Sequence, residues 1–220
     1  MLDQDLKGQK IKALRDIFPS VSRETEDDLL RYEELVRKWQ PHINLIANAT
    51  LPDIWQRHIL DSVQLFPLKQ ECKKWLDLGS GGGFPGIVLA IILKPLGGHI
   101  DLVESNQKKI SFLRTVIAEL NLPATVHCMR IEDLNDEIEQ PHVITARALA
   151  SLDKLFDFIW PIQAKNTVSL LQKGRDYQQE VEKAHQHWQF NLVKHKSRII
   201  NESIILEISD LEKGTNNERN

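Results

Sequence analysis

The sequence has few of the residues that stabilise secreted or metal-binding domains. Its 220 residues include only two cysteines, Cys72 and Cys128, with no Cys-x-x-Cys pair and no histidine cluster. This pattern argues against a disulfide framework and against a zinc site. The longest apolar run, Gly86–Leu93, is too short to cross a bilayer, and Met1–Lys12 is too charged to form a signal-peptide core. We therefore expect a cytoplasmic protein that binds no metal.

The chain also lacks an excess of positive charge, since 28 Lys and Arg residues are set against 31 Asp and Glu residues and the net charge is −3. A protein that grips nucleic acid over its whole surface needs a concentrated basic face. Only local basic clusters remain, and an ordinary solvated surface is the simpler interpretation of each. The three clusters are Lys7, Lys10, Lys12 and Arg15; Lys69, Lys73 and Lys74; and Lys194, Lys196 and Arg198.

The first part of the chain has the pattern of helices. Apolar residues recur every three to four positions from Leu29 to Trp39, after a helix start signal at Thr25-x-x-Asp28. A second stretch with this spacing runs from Trp55 to Phe66, and Pro52 is placed to occupy its first turn. The sequence therefore predicts an all-helical cap over residues 1–70.

From Lys74 onward, short apolar runs alternate with helical patterns, which is typical of βαβ units and a parallel sheet. The runs predict an α/β fold of the Rossmann-like class over residues 71–211, with a mostly parallel seven-stranded sheet that ends in an antiparallel hairpin. Residues 212–220 are polar and aperiodic, which predicts a disordered tail. The predicted strands are Trp75–Leu78, Ile100–Glu104, Thr125–Met129, His142–Ala146, Val168–Gln172, Phe190–His195 and Ser203–Ile208.

A glycine-rich loop joins the first predicted strand to a helix. Gly81-x-Gly83-x-x-Gly86 satisfies the dinucleotide fingerprint, in which glycines let a ligand approach the backbone where a helix begins. Four of the five residues from Gly79 to Gly83 are glycine, which would cost an ordinary connector chain entropy without benefit. The second strand ends at Glu104, whose carboxylate can accept hydrogen bonds from two ribose hydroxyls. We therefore expect an adenosine-containing cofactor.

Charge distinguishes the two cofactors that fit this description. NAD would place a pyrophosphate dianion beside Asp77, whose carboxylate would oppose it. S-adenosyl-L-methionine brings a sulfonium and an ammonium group, which the same carboxylate suits. The residues that follow the loop are also needed for the predicted sheet. No separate substrate domain, which hydride transfer with NAD would require, is therefore expected. We predict S-adenosyl-L-methionine as the cofactor, with Asp77, Gly81, Gly83 and Glu104 in its site.

Several motifs together resemble one family. They are Asn44-Leu45-Ile46, Arg57-His58-Ile59-Leu60-Asp61-Ser62, the loop segment Leu76–Gly86, Thr145-Ala146-Arg147-Ala148 and Gln172-Lys173-Gly174. On these residues most of the chain resembles the bacterial 16S ribosomal RNA guanine-N7 methyltransferases, also called glucose-inhibited division protein B. The resemblance implies a class I methyltransferase fold and methylation of N7 on one guanosine of the small-subunit RNA.

The resemblance also implies where the cofactor lies. Glu104 stands where many members have aspartate, which preserves the carboxylate. A small residue is usual at the position of Ile131, so this side chain adds bulk near the adenine. The implied cofactor contacts are Gly79, Phe84, Ile131, Glu132 and Arg147.

Methylation of guanine N7 makes modest chemical demands. N7 carries a free lone pair and no proton, so the reaction needs alignment with the sulfonium methyl rather than a general base. N7 also faces the deep major groove of A-form RNA, so the target must be unpaired or splayed out. Arg147 closes a parallel strand at the ligand-binding edge, which favours a functional role on position alone. We predict a base site formed by Asn44, Arg57, His58, Asp61, Ser62, Arg147 and Lys173.

Simpler interpretations of these residues stay open. Arg57 and Asp61 are four residues apart and match an ordinary helix-surface ion pair, while His58 and Ser62 match structural groups at a helix interface. Two other functions also stay open, namely a small-molecule methyltransferase and a non-catalytic RNA-binding factor for ribosome assembly. The intact acidic and basic site residues argue against the second. The expected partners of a monomeric enzyme are 16S ribosomal RNA and the small ribosomal subunit or its assembly intermediate.

Overall fold

The computed structural model describes residues 2–134 and 138–214. Its seven strands are β1 Lys74–Leu78, β2 His99–Glu104, β3 Ala124–Cys128, β4 Val143–Arg147, β5 Val168–Lys173, β6 Trp188–Lys196 and β7 Ile204–Lys213. They form one sheet in the order β3-β2-β1-β4-β5-β7-β6. The first five strands pair in parallel, whereas β7 pairs antiparallel with both β5 and β6. The predicted fold class is confirmed.

The helices lie on both faces of this sheet. The described residues include no helix that is long and apolar enough to span a membrane. Single 3₁₀ turns occur at Asn48–Thr50, Phe66–Leu68, Lys94–Leu96 and Ile131–Asp133, and a π-helical turn at Trp55–Leu60 leads directly into the third helix. The helices are α1 Leu2–Ile17, α2 Arg23–Trp39, α3 Asp61–Val63, α4 Gly86–Leu93, α5 Gln107–Leu120, α6 Leu152–Ile159 and α7 Tyr177–Ala184.

Two apolar layers hold the sheet between the helices. Successive side chains of a strand point to opposite faces, so Trp75 of β1 packs with α1, α2, α4 and α5, while Leu76 packs with α6 and α7. Central strands that are covered on both faces consist of continuous apolar runs rather than alternating ones. Strands β1 and β4 follow this pattern except at the buried polar residues Asp77 and Thr145.

The cap begins with helix α1, which lies within the predicted all-helical segment and contributes Leu14 and Ile17 to the core. Helix α2 starts earlier than the Thr25-x-x-Asp28 signal predicts, since the Ser22 hydroxyl oxygen accepts the Thr25 backbone N–H at 3.1 Å and caps the helix. Three of the four residues of the first basic cluster form ion pairs with α2, and Lys7 and Arg15 do so at the surface. These ion pairs are Lys7–Asp27 at 3.2 Å, Lys10–Glu33 at 2.6 Å and Arg15–Glu26 at 2.6 Å.

The second cap helix is irregular where a regular one was predicted. The predicted buried face is present, since Trp55, Ile59, Ser62 and Phe66 are all buried. However, Pro52 lies in a turn before the helix, and the first helical residues form the π-helical turn Trp55–Leu60. Such turns are rare and occur often at functional sites.

The end of the sheet differs from the predicted domain boundary. Strand β7 continues to Lys213, which pairs with Trp188. Glu212 and Lys213 therefore belong to the sheet rather than to the tail predicted over 212–220. Residues 215–220 of that predicted tail lie outside the described residues.

Candidate active site

A cavity of about 610 Å³ lies at the carboxyl ends of β1, β4 and β5. The strand order reverses at β1, with β2 on one side and β4 on the other, and ligands of open α/β sheets bind outside such a switch point. The glycine loop forms one wall, and cap residues that include Thr50 and Arg57 form the facing wall. This volume is typical of sites for small ligands and cofactors.

The glycines of the loop have two different tasks. Gly79, Gly81 and Gly83 have φ angles of 70°, 56° and 90°, in the left-handed region that favours glycine. A Cβ atom on Gly83 would lie 2.5 Å from Cγ1 of Ile87 and 2.7 Å from the hydroxyl oxygen of Tyr32. Gly79 and Gly81 line the cavity, whereas Gly83 does not. All three glycines therefore permit the turn; Gly83 also leaves room for Ile87 and Tyr32, and the other two form the wall.

Tyr32 of the cap holds the glycine loop in place. The sequence predicted that Tyr32 lies on a buried helical face, but not that it contacts this loop. The fully buried phenol donates a hydrogen bond to the Gly82 carbonyl oxygen at 2.6 Å. Its ring centre lies 5.2 Å from that of Phe84, which lines the cavity. Tyr32 thus connects α2 to the cofactor wall.

We expect Tyr32→Phe to lower the free energy of unfolding by about 1 kcal/mol, because the Gly82 carbonyl loses its donor. For a protein of this size that loss corresponds to a melting temperature about 2–4 °C lower. Affinity for S-adenosyl-L-methionine should fall as well, since the loop loses its anchor. Thermal unfolding and calorimetry measure both effects. Tyr177→Phe is the control, and equal cofactor affinities in the two variants would contradict this role of Tyr32.

Glu104 lies beside the loop as predicted and is held by three donors. Its carboxylate accepts the backbone N–H groups of Gly81 at 2.8 Å, Ser105 at 2.9 Å and Asn106 at 2.7 Å. A carboxylate can accept about four hydrogen bonds, so capacity remains for a ribose hydroxyl. Glu104 itself does not line the cavity. The pair that the resemblance places against the cofactor, Ile131 and Glu132, does not line it either, and these residues are half-buried and exposed respectively.

Asp77 lies beneath the loop rather than in the cavity wall. Its side chain is buried, and Oδ1 accepts a hydrogen bond from the Thr145 hydroxyl at 3.0 Å. No described residue donates to Oδ2, which packs against the backbone of Gly86 at the start of α4. Burial raises the pKa of Asp77 to about 6, although hydrogen bonds and the charge of Arg147 oppose this. The carboxylate is therefore out of contact with the cavity, and only its charge extends to that space.

Asp77→Asn is expected to stabilise the protein without cofactor by about 2 kcal/mol at pH 8. A buried carboxyl with a raised pKa prefers its neutral form, so its contribution to stability falls as pH rises from the ordinary value of 3.8 to about 6. The gain in the variant should therefore grow over this window and level off above it. The pH dependence of thermal unfolding measures this, and a gain that is equal at pH 4 and pH 8 would contradict it.

Arg147 joins the cap to the end of β4 across the cavity. Its guanidinium donates to the Arg57 carbonyl oxygen at 3.2 Å and to Nδ1 of His58 at 2.8 Å, and it lies 3.6 Å from Oδ2 of Asp61. Its central carbon lies 5.4 Å from the ring centre of Phe84. The prediction that this residue lies at the ligand-binding edge agrees with its place in the cavity wall.

The contacts of His58 fix its protonation state. A guanidinium can only donate, so Nδ1 of His58 accepts from Arg147 and the ring proton lies on Nε2. Nε2 then donates to the Thr50 hydroxyl oxygen at 2.7 Å. Burial and the charge of Arg147 lower the pKa of His58 to about 3. His58 is thus a neutral residue that positions Arg147 and has no free nitrogen for a proton.

Asp61 points into the protein, which excludes the interpretation of Arg57 and Asp61 as a surface ion pair. Its buried carboxylate accepts hydrogen bonds from Nε2 of Gln64 and Nε2 of Gln172, each at 2.7 Å, and forms its ion pair with Arg147. Burial raises the pKa of Asp61, and the charge of Arg147 opposes this rise. The sequence did not identify either glutamine as a site residue. Gln172 is 111 residues from Asp61 in the chain, and the contact between Gln64 and Asp61 is buried.

Lys173 lies in the cavity wall as a member of an ion pair. Its ammonium donates to the Ala150 carbonyl oxygen at 2.6 Å and to Oε2 of Glu180 at 2.7 Å. Glu180 also accepts the Leu152 backbone N–H at 2.7 Å and lines the same cavity. This carboxylate was not recognised from the sequence, since an isolated glutamate on a helix gives no signal.

Two predicted base-site residues lie elsewhere. Ser62 is fully buried and donates to the His58 carbonyl oxygen at 2.6 Å, so it stabilises the irregular cap helix. Asn44 is exposed in the connector and does not line the cavity. The structure therefore brings together Arg57, His58, Asp61, Arg147 and Lys173, but not these two residues.

The residues around the loop fit a cationic cofactor. Oδ2 of Asp77 lies beneath the loop without a hydrogen-bond donor among the described residues. The negative charge of this carboxylate would repel a pyrophosphate, whereas a sulfonium or ammonium group above the loop would stabilise its ionised form. Glu104 provides a second carboxylate at the end of β2. Within residues 2–134 and 138–214, no group of three or more His, Cys, Asp or Glu side chains is placed to hold a metal ion.

Comparison with solved structures shows the same fold. The O-methyltransferase TomG from Streptomyces achromogenes, determined in complex with SAM, superposes with a TM-score of 0.55 at 15% identity, over 83% of this chain and 89% of TomG. A TehB-like SAM-dependent methyltransferase from Corynebacterium glutamicum gives a TM-score of 0.56 at 11% identity, over 82% of this chain and 98% of that protein. The Rossmann-like methyltransferase fold predicted from the sequence is confirmed.

Comparison with sequences identifies the family. The family model described as rRNA small subunit methyltransferase G matches residues 25–203. The Ribosomal RNA small subunit methyltransferase G of Bartonella quintana (strain Toulouse) is 59% identical over 202 residues, 91% of this chain and 94% of the relative. That of Brucella ovis is 54% identical over 207 residues, 94% of this chain and 97% of the relative. The chain belongs to the rRNA small subunit methyltransferase G family.

Proposed function

We propose that this protein transfers the methyl group of S-adenosyl-L-methionine to N7 of one guanine in 16S ribosomal RNA. The observation that carries this proposal is the single cavity that joins the glycine loop to Arg147, His58 and Asp61, in a chain that belongs to the methyltransferase G family. The small ribosomal subunit or its assembly intermediate is the proposed substrate. We propose that the enzyme acts as a monomer in the cytoplasm.

The groups in the cavity suit an acceptor that has no proton to lose. When bound, the cofactor supplies a methyl group on a positively charged sulfur. Nδ1 of His58 is already occupied by Arg147, and the Asp61 carboxylate is occupied by two glutamine donors and by the same arginine. Methylation of a hydroxyl or an exocyclic amine would require a base to remove a proton. We therefore propose that the task of these residues is to position the base, which is sufficient for guanine N7.

The surface near the cavity offers basic groups for the flanking phosphates. Lys196 of β6 pairs with Ile204 of β7, which pairs in turn with Lys173 of β5, so Lys196 lies at the cavity end of the sheet. Lys196 and Arg57 are both exposed. The second basic cluster, by contrast, ends at the first residue of β1, at the opposite end of the sheet. We therefore propose that Arg57 and Lys196 bind phosphates beside the target.

Methyl transfer to isolated small subunits tests the proposed function. Radiolabel from the methyl donor should appear in 16S ribosomal RNA, and mass mapping should place it as 7-methylguanine at one position. Arg147→Ala is the control for label that does not depend on this cavity. Label in a metabolite fraction, in protein, or on another atom of the base would refute the proposal.

A further inference from the structure

Two glutamines bind Asp61 in nearly the same way. Nε2 of Gln172 donates to the Asp61 backbone carbonyl at 2.9 Å and to Oδ2 at 2.7 Å. Nε2 of Gln64 donates to the same carbonyl at 3.1 Å and to Oδ1 at 2.7 Å. Both side chains are buried. Each amide is therefore oriented by two acceptors, and reversing either one would turn its oxygen toward a carboxylate.

The two amide oxygens differ in what they accept. Oε1 of Gln64 accepts the backbone N–H of Arg198 at 2.9 Å. Oε1 of Gln172 is buried and accepts no hydrogen bond from any residue in the described part of the chain. Buried polar atoms nearly always have a partner. Gln172 thus holds a buried acceptor that no described residue uses.

Gln172 belongs to the half of the cavity where the base is expected. Gln172 lies near the carboxyl end of β5 and lines the cavity, whereas Gln64 does not line it. Glu104, the expected partner of the cofactor ribose, lies at the end of β2 on the far side of β1. The nucleoside of the cofactor is therefore directed toward β2, and the methyl acceptor toward β4 and β5.

We propose that Oε1 of Gln172 accepts a hydrogen bond from the N1–H and N2–H₂ edge of the target guanine and so selects guanine over adenine. When N7 faces the methyl group, these donors lie on the opposite side of the ring. Adenine has an acceptor at N1, which would face Oε1 without a proton between them. This role rests on the proposed function, and it makes Gln172 a residue that determines specificity.

The test compares three bases at the target position of reconstituted small subunits. Guanine has the full donor edge, inosine lacks the N2 amino group, and 2-aminopurine lacks the N1 proton. In single-turnover methyl transfer, we expect the wild type to prefer guanine over at least one analogue by about tenfold or more. Gln172→Met should reduce this preference to less than about threefold, because methionine has a similar shape but no such acceptor. Gln64→Met is the matched control and should keep the preference, since it removes the equivalent donor to Asp61.

The possible outcomes separate this role from the proposed function. Equal wild-type rates with all three bases would overturn the role of Gln172 and leave guanine methylation standing, even where Gln172→Met does not fold. An undiminished preference in a folded Gln172→Met protein would overturn it too, as would an equal loss of preference in Gln64→Met. Failure of the wild type to methylate subunits that contain guanine would refute the proposed function, and the role of Gln172 with it.

Discussion

Arg147→Ala is expected to lower the rate of methyl transfer by at least about tenfold at saturating RNA and cofactor, which is roughly 1.4 kcal/mol of transition-state stabilisation. The guanidinium lies between the cap, the glycine loop and the end of β4, in contact with His58, Asp61 and the Phe84 ring. Removal of this side chain would break the contacts that link the cap wall of the cavity to the wall formed by the glycine loop. A small loss of alignment costs much when alignment supplies most of the rate.

The contacts of Arg147 also correct the expectation from the sequence about the stability of Arg147→Ala. With no nearby partner in the sequence, its loss would be expected to leave stability almost unchanged. The structure instead predicts a loss of about 1–2 kcal/mol, since the Arg57 carbonyl and Nδ1 of His58 would lose their donor. Arg147→Lys should rescue activity only in part, because a single ammonium cannot reproduce the planar fork.

Three measurements together define the role of Arg147. Single-turnover rates report the methyl transfer, and the melting temperature reports stability. The pKa of His58, followed by NMR, should rise from about 3 in Arg147→Ala, because a nearby positive charge is removed. Wild-type turnover in the alanine variant would show that Arg147 is not a catalytic residue.

Gly81→Val is expected to lower affinity for S-adenosyl-L-methionine by at least about a hundredfold, or roughly 2.7 kcal/mol. Gly81 has a φ of 56°, which β-branched residues rarely adopt. The nearest atoms to an added Cβ are the Gly79 carbonyl oxygen at 3.7 Å and Nζ of Lys109 at 3.9 Å. The new side chain therefore extends into the cavity rather than into the core, and the protein should still fold.

Gly97→Val is the control for Gly81→Val, because it introduces the same backbone strain at a glycine that lies outside the cavity. Gly97 has a φ of 67°, and a Cβ added there would meet no atom within 4 Å. It precedes β2, at the end of the sheet away from the cavity. We expect this variant to lose stability like Gly81→Val but to keep its cofactor affinity. Unchanged affinity in a folded Gly81→Val protein, measured by calorimetry, would contradict the location of the cofactor at this loop.

The sequence predicts well what depends on local pattern. The short, mostly apolar runs of β1 and β4 predict strands, and the glycine spacing predicts the loop. Arg147 could be placed at the cavity because the carboxyl ends of parallel strands meet at one edge. No pattern predicts that Asp77 lies beneath the loop, since a strand residue next to a glycine turn can point to either side of the backbone.

The direction of the cap side chains was equally hidden from the sequence. Asp61 would face solvent beside Arg57 on a regular helix with four-residue spacing, but here it follows the π-helical turn Trp55–Leu60 and faces Arg147. Helix α1 could not be delimited from the sequence, because it buries only a short apolar segment, Leu14 to Ile17, and its other links to α2 are charged pairs. In both cases the deciding partner is far away in the sequence.

The place of β7 within the sheet determines how this protein can assemble as it is synthesised. Strand β7 lies between β5 and β6, although it follows both of them in the chain. Until β7 emerges from the ribosome, β5 has an unpaired edge and β6 has no partner, and exposed edges of this kind are prone to pair with other chains. An enzyme that modifies ribosomes would therefore complete its own sheet only after a ribosome has translated nearly all of the described chain.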